Sequence, residues 1–131
     1  MSRENENSPR IFLIEEDDNA RHILKQNLKR YGYRVSLALD EEDALERVDA
    51  GLQPDLVLLD LVGKSEEEVL NIGRRIRTHV RYDGHTPLVV MAEKYGPDLE
   101  GTDVNVGGND WITYLEDPDQ LKNLLGRLLL K

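Results

Sequence analysis

The 131-residue chain contains no cysteine, so a disulfide framework, thiol chemistry and a Cys-ligated zinc site are all excluded. No apolar run approaches the length of a membrane span. Met1 to Pro9 is polar and lacks the apolar stretch of a secretory leader; it reads as a short flexible tail. Basic charge is also scarce: 17 Lys and Arg stand against 26 Asp and Glu, a net charge of −9. Nonspecific binding to nucleic acid or to anionic membranes draws its affinity from a basic patch, so neither partner is expected. There is no internal repeat and no low-complexity stretch. Together these absences point to a cytoplasmic protein with a solvated acidic surface.

What is present is one domain. A chain of this length supports a single core, and the hydrophobic fraction of 39% beside 33% charged residues is that of an ordinary globular protein. Short apolar runs alternate with helical patterns across residues 10–131. Ile11-Phe12-Leu13-Ile14 reads as a buried strand that stops at Glu15-Glu16-Asp17-Asp18. From Asn19 the period lengthens: Ala20, Ile23, Leu24, Leu28 and Tyr31 share a helical face, with Gly32 as the C′ residue. Arg34 to Ala38 is a second strand. Asp40 caps a helix that buries Ala44, Leu45 and Val48 and ends before Gly51.

The third strand, Leu56-Val57-Leu58-Leu59, is continuously apolar, as in a parallel strand covered on both faces, and ends at Asp60. Ser65 and Glu68 form a capping box for a helix that turns Val69, Ile72, Gly73, Ile76 and Val80 inward. Leu88 to Met91 makes strand four and Trp111 to Tyr114 strand five. Asp117-Pro118-Asp119-Gln120 opens the last helix, striped by Leu121, Leu124, Leu125 and Leu128. Between strands four and five, Gly96 to Gly108 must hold a helix. Pro97, Gly101, Thr102, Val104 and Val106 make it a poor one, so it is expected to be short, irregular or mobile.

Five β/α units in series predict a doubly wound (βα)5 sandwich around a central five-stranded parallel sheet, a flavodoxin-like α/β fold. Sites in such folds lie beyond the carboxyl ends of the strands. Glu15 and Glu16 stand after strand one and Asp60 at the end of strand three. Carboxylates gathered there repel unless a cation or proton intervenes. Mg²⁺ takes one or two carboxylates with water and phosphate oxygens, and an aspartate beside it can attack phosphorus to form an aspartyl phosphate. On spacing alone, acids that simply enter solvent explain the pattern equally well.

The run Ile11-Phe12-Leu13-Ile14-Glu15-Glu16-Asp17-Asp18-Asn19-Ala20-Arg21 resembles the first strand and acidic loop of response-regulator receiver domains of the CheY-like type. Gly32-Tyr33-Arg34-Val35, Ala44-Leu45, Pro54 to Leu61, Gly107 to Thr113 and Asp117-Pro118 follow in the family's order. The resemblance covers roughly residues 10 to 130. It implies that Asp60 accepts a phosphoryl group from a histidine kinase or phosphotransfer protein. It also implies that Mg²⁺ is held by Glu16, its neighbour Glu15, Asp60 and the Val62 carbonyl. Trp111 matches the aromatic that reports phosphorylation to a downstream protein partner.

The chain departs from that family at the chemistry. Glu16 replaces an aspartate. Ala92 stands where the family has a coupling Ser or Thr, and Glu93 where it has a small residue. Tyr114-Leu115 replaces a Lys-Pro pair, and the loop Val62-Gly63-Lys64-Ser65 lacks the usual glycine pairs and is one residue longer. Ala92, Trp111 and Tyr114 are therefore the altered or retained switch positions. Lys64 or Lys94 could restore a cation, or be plain surface lysines. The Tyr114 hydroxyl could donate to phosphate, or the ring could fill the space the lysine leaves.

Three functions compete on these grounds. The first is a stand-alone, non-enzymatic receiver in two-component phosphorelay signalling, phosphorylated on Asp60 with Mg²⁺ in a weakened site. The second is a pseudo-receiver, an interaction module that works without phosphorylation. The third, an enzyme or nucleotide binder, needs a phosphate-cradling loop after strand one, where Glu15-Glu16-Asp17-Asp18 has the wrong charge. No DNA-binding motif follows the domain, so output would pass through a partner or a homodimer. Leu128-Leu129-Leu130 is the candidate dimer contact, or else the last turn simply packs on the core.

Overall fold

The computed structural model describes residues 8–80 and 85–129. Six strands and four helices follow in the order β1 (Arg10–Glu15), α1 (Asp18–Arg30), β2 (Arg34–Ala38), α2 (Glu41–Asp49), β3 (Leu56–Asp60), α3 (Glu66–Thr78), β4 (Leu88–Met91), β5 (Thr102–Gly107), β6 (Asp110–Tyr114) and α4 (Pro118–Leu129). They build one sheet in the order β2-β1-β3-β4-β6-β5. All neighbouring pairs are parallel except β5 with β6.

The apolar runs make a two-sided core because successive side chains leave a strand on opposite faces. Phe12, Ile14, Val57, Leu59, Leu88 and Val90 pack with Ala44 and Val48 of α2 and Val69, Ile72 and Ile76 of α3. Ile11, Leu13, Leu56, Leu58 and Val89 pack on the other side with Leu28 of α1 and Leu121, Leu124 and Leu125 of α4. Gly73 lets α3 lie close on the sheet, since a β-carbon there would collide with the Leu88 side chain.

The helix boundaries follow the capping signals. Asp17 accepts from the N–H groups of Asn19 and Ala20, Asp40 from that of Asp43, and Ser65 and Glu68 close their box reciprocally. Asp117 accepts from the Gln120 N–H at 3.2 Å. Gly32 and Gly51 follow the first two helices with φ of 101° and 114°, backbone that L side chains rarely adopt. Two smaller expectations shift. Ile23, read as inward-facing, is 58% exposed, and Val80 is buried but lies beyond the end of α3. Of the polar N-terminal stretch, residues 1–7 lie outside the described residues; Ser8 and Pro9 are tied to Arg34, which donates to both their carbonyls. Leu128 and Leu129 pack against the second core cluster, and Leu130 is outside the described residues.

One expectation is overturned. Gly96 to Gly108 holds no helix; after a turn at its start it runs as β5, antiparallel to β6. The sheet therefore keeps the five parallel strands and adds a sixth, antiparallel one at its edge, and the predicted fifth strand is β6, starting at Asp110. The same residues that weaken a helix explain the strand: Thr102, Val104 and Val106 are β-branched and suit a pleated surface. Gly107 pairs with Asp110 across the loop Gly108-Asn109. Gly108 has φ of 52° while no non-glycine residue among those described has positive φ, the pattern of a type II′ hairpin turn.

Side-chain anchors hold this hairpin from both layers. Asp110, 4% exposed, accepts from Arg74 Nε at 2.8 Å and from Arg77 Nη1, both on α3. Asp103 accepts from the Thr113 hydroxyl at 2.7 Å, from Gln120 Nε2 at 2.9 Å and from Arg127 Nη2 at 2.9 Å. The two arginines hold the Asp110 carboxyl below its ordinary value despite the opposing effect of burial. Removing the carboxylate strands two guanidinium groups beside the core. Asp110→Ala is expected to cost about 3 kcal/mol of unfolding free energy in urea titration, because breaking a buried ion pair from one side leaves the other charge uncompensated.

Candidate functional site

β1 and β3 are neighbouring parallel strands, and their register pairs Glu15 directly with Asp60. Both therefore reach the carboxyl edge of the sheet at the same level. Glu15 is 1% exposed, whereas Asp60 is half-buried. Glu15 Oε2 accepts the Asp17 N–H at 3.2 Å. Its Oε1 is buried with no hydrogen-bond partner among the described residues. Burial first, then the neighbouring Asp60, push the Glu15 carboxyl up to about 8. Near neutral pH the Glu15 carboxyl keeps its proton.

Glu16 turns outward and meets Lys64, with Nζ 3.7 Å from Oε1. Arg21 fixes the turn between the two glutamates and α1, donating to the Glu15 carbonyl at 2.8 Å and to the Glu16 carbonyl at 3.4 Å. Val62, two residues past Asp60, has its side chain 57% exposed. Thus Glu15 and Asp60 are brought together, while Glu16 is engaged by a lysine. Among the described residues no group of three or more His, Cys, Asp or Glu side chains converges as a ready-made metal cluster.

The residues nevertheless fit a Mg²⁺ ion. An unpartnered buried carboxylate oxygen beside a second carboxylate is a hard-oxygen pair of the kind Mg²⁺ uses with its own waters. A cation there would take the place of the Glu15 proton. Glu15, Asp60 and, after leaving Lys64, Glu16 are the side chains that would hold it.

The other singled-out positions surround this edge. Ala92 follows β4 and packs on the core cluster that includes Tyr114, offering no hydroxyl. Glu93 reaches the β3–α3 loop, where its Oε2 accepts the Gly63 N–H at 2.9 Å. Gly63, Lys64, Ser65, Glu66, Glu93 and Lys94 line a cavity of about 450 Å³. Lys64 and Lys94 thus face the same space. Tyr114 is buried, its ring edge-on to Tyr95 at 5.4 Å, and its hydroxyl donates to Glu66 Oε1 at 3.1 Å. Burial, and then Glu66, push the Tyr114 hydroxyl above its ordinary value. Tyr95 in turn donates to the Leu115 carbonyl. Trp111 lies on the other face, half-buried in the α1–α4 layer, with the Arg127 guanidinium 6.0 Å from its ring and its Nε1 buried without a hydrogen-bond partner among the described residues. Sequence reasoning missed Tyr95 and Glu66, because a partner 48 residues away has no local signature.

No family model matches the chain. It is 29% identical over 123 residues to the transcriptional regulatory protein DltR of Streptococcus agalactiae, covering 93% of this chain and 51% of that protein. It is 29% identical over 119 residues to the response regulator MprA of Mycolicibacterium vanbaalenii, covering 91% and 48%. The chain spans about half the length of these relatives. A segment of the 3′,5′-cyclic-nucleotide phosphodiesterase regA of Dictyostelium discoideum matches at 31% over 126 residues, 92% of this chain but 15% of that one.

Solved structures share the fold. The receiver domain of the sensor histidine kinase PA1611 from Pseudomonas aeruginosa, with magnesium in its active-site cleft, aligns with a TM-score of 0.66 at 19% identity, covering 95% of this chain and 99% of that one. The response regulator TrrA from Thermotoga maritima, in complex with Mg²⁺ and BeF, gives 0.65 at 23%, covering 92% and 99%.

The raised Glu15 carboxyl sets the pH dependence of stability. Protonation is favoured in the folded state, so in EDTA stability should fall as pH rises from about 4.5 through about 8 and level off above. Glu15→Gln, which keeps the neutral shape, should flatten this decline, and millimolar Mg²⁺ should restore the wild-type protein at pH 8.5. Thermal melts across that pH range check each point.

Proposed function

We propose, for a chain that is a response-regulator receiver domain in sequence and in fold, that Asp60 accepts a phosphoryl group and that the domain passes its state on through protein contacts. The observation that carries this is the register of Glu15 with Asp60 at the carboxyl edge of the sheet, with one buried oxygen of Glu15 unpartnered. An Asp60 oxygen would form the bond to phosphorus as the phosphohistidine P–N bond of the donor breaks, and the freed imidazole takes up a proton. Mg²⁺, when bound, supplies positive charge to the transferring oxygens. Glu15 and Asp60 would hold the ion through their carboxylate oxygens. The donor is a histidine kinase or a phosphotransfer protein.

A second reading, a pseudo-receiver that works without phosphorylation, is favoured by specific contacts. Ala92 has no hydroxyl to meet a phosphoryl oxygen, and Tyr114 gives its hydroxyl to Glu66. Losing such contacts slows transfer by about a factor of ten for each 1.4 kcal/mol no longer supplied. Output would differ too, because β5 and its anchors stand where a helix is expected. No helix among the described residues is long and apolar enough to cross a membrane.

Incubation with acetyl phosphate and Mg²⁺ should add one phosphoryl mass to the intact protein. Asp60→Asn should abolish the adduct, and beryllofluoride with Mg²⁺ should change Trp111 fluorescence in the wild type alone. Absence of any adduct after hours at millimolar acetyl phosphate favours the pseudo-receiver. An adduct retained in Asp60→Asn would show that another residue is the acceptor.

A further inference from the structure

Asp60 begins the loop that carries Gly63, and Glu93 lies in the loop after the neighbouring parallel strand β4. Strand pairing places both loops over the same edge of the sheet. The hydrogen bond from Gly63 N–H to Glu93 Oε2, at 2.9 Å, spans 30 residues of sequence and links the two loops directly. Its acceptor is a carboxylate, which makes it a charge-assisted bond. Nothing lies within 4 Å of where a Gly63 β-carbon would stand, so the Gly63 backbone borders open space. Gly63 also lines the 450 Å³ cavity, with Lys64 and Lys94 in its wall. A main-chain donor and two ammonium groups are features that receive an oxyanion, and here the oxyanion present is the protein's own.

We propose that Glu93 is an internal anion that occupies an oxyanion position at the sheet edge where β3 ends in Asp60, tying the β3 and β4 loops together and keeping phosphate-like groups out. A phosphoryl group on Asp60 would bring about −1.5 to −2 of charge to this edge. It would have to displace Glu93 from the Gly63 amide or remain without that donor. The displacement adds a cost to phosphorylation that a small residue at position 93 would not impose. The geometry of the latch stands without phosphorylation; only this consequence rests on Asp60 being the acceptor.

Titration of the full chain with inorganic phosphate, followed at the Gly63 amide by NMR, tests the proposal in wild type, Glu93→Ala and Glu93→Gln. In Glu93→Ala the amide should lose protection from hydrogen exchange, and phosphate should move its resonance at about tenfold lower concentration than in wild type, the loss expected for a bond to a charged acceptor. Glu93→Gln, which keeps the side-chain shape, carries the comparison if the alanine variant folds poorly. A Gly63 amide equally protected and equally responsive to phosphate in all three proteins overturns the proposal. Acetyl phosphate labelling of the same proteins separates the two claims. A variant that takes phosphate at Gly63 but no label on Asp60 supports the latch and rejects the acceptor. Equal labelling with an unchanged Gly63 amide rejects the latch and keeps the acceptor.

Discussion

Two carboxylates that end neighbouring parallel strands repel one another unless a cation or a proton intervenes, and burial of one of them sharpens the conflict. This constraint on Glu15 and Asp60 organises the carboxyl edge of the sheet. Strand register brings the pair together, burial of Glu15 by the layers on either side raises its affinity for a proton, and one of its oxygens has no hydrogen-bond partner among the described residues. The proposed nucleophile and cation-binding oxygens come from this same arrangement. Its electrostatic cost is borne by a core continuous on both faces of β1 and β3.

Around that pair the surrounding contacts are rewired. Where an ammonium group is expected from the family resemblance, Tyr114 sits buried against Tyr95 and gives its hydroxyl to Glu66. Where a small residue is expected, Glu93 crosses to the Gly63 amide. Lys64 pairs with Glu16. The Tyr114 hydroxyl, the Gly63 amide and Lys64 thus already have internal partners.

The hairpin β5–β6 changes what the edge can communicate with. A helix between β4 and the last strand would pack through side chains alone, whereas β5 is hydrogen-bonded into the sheet and clamped through Asp110 from α3 and through Asp103 from α4. Backbone pairing and buried ion pairs resist the small sliding motions by which packed helices shift. Trp111 is enclosed on the side of α4, away from the layer that holds Tyr114 and Ala92.

Much was legible in the linear chain. Apolar runs of four residues placed the parallel strands, capping residues such as Asp40 and Ser65 placed the helix starts, and the acids at the ends of the first and third strands marked the candidate site. Those signals are local, and local physics decides them. The sequence of Gly96 to Gly108 also announced a poor helix, through the glycines and β-branched residues that make a good edge hairpin, but the choice of strand depended on β6 being available to pair. Only the tertiary structure decided which acids meet. Glu15 rather than Glu16 faces Asp60, because alternation along β1 sends one side chain into the fold and lets the other turn to Lys64. It also decided that Glu93 and Gly63, 30 residues apart, share one hydrogen bond, since contacts between loops arise from strand register and leave no mark on sequence spacing.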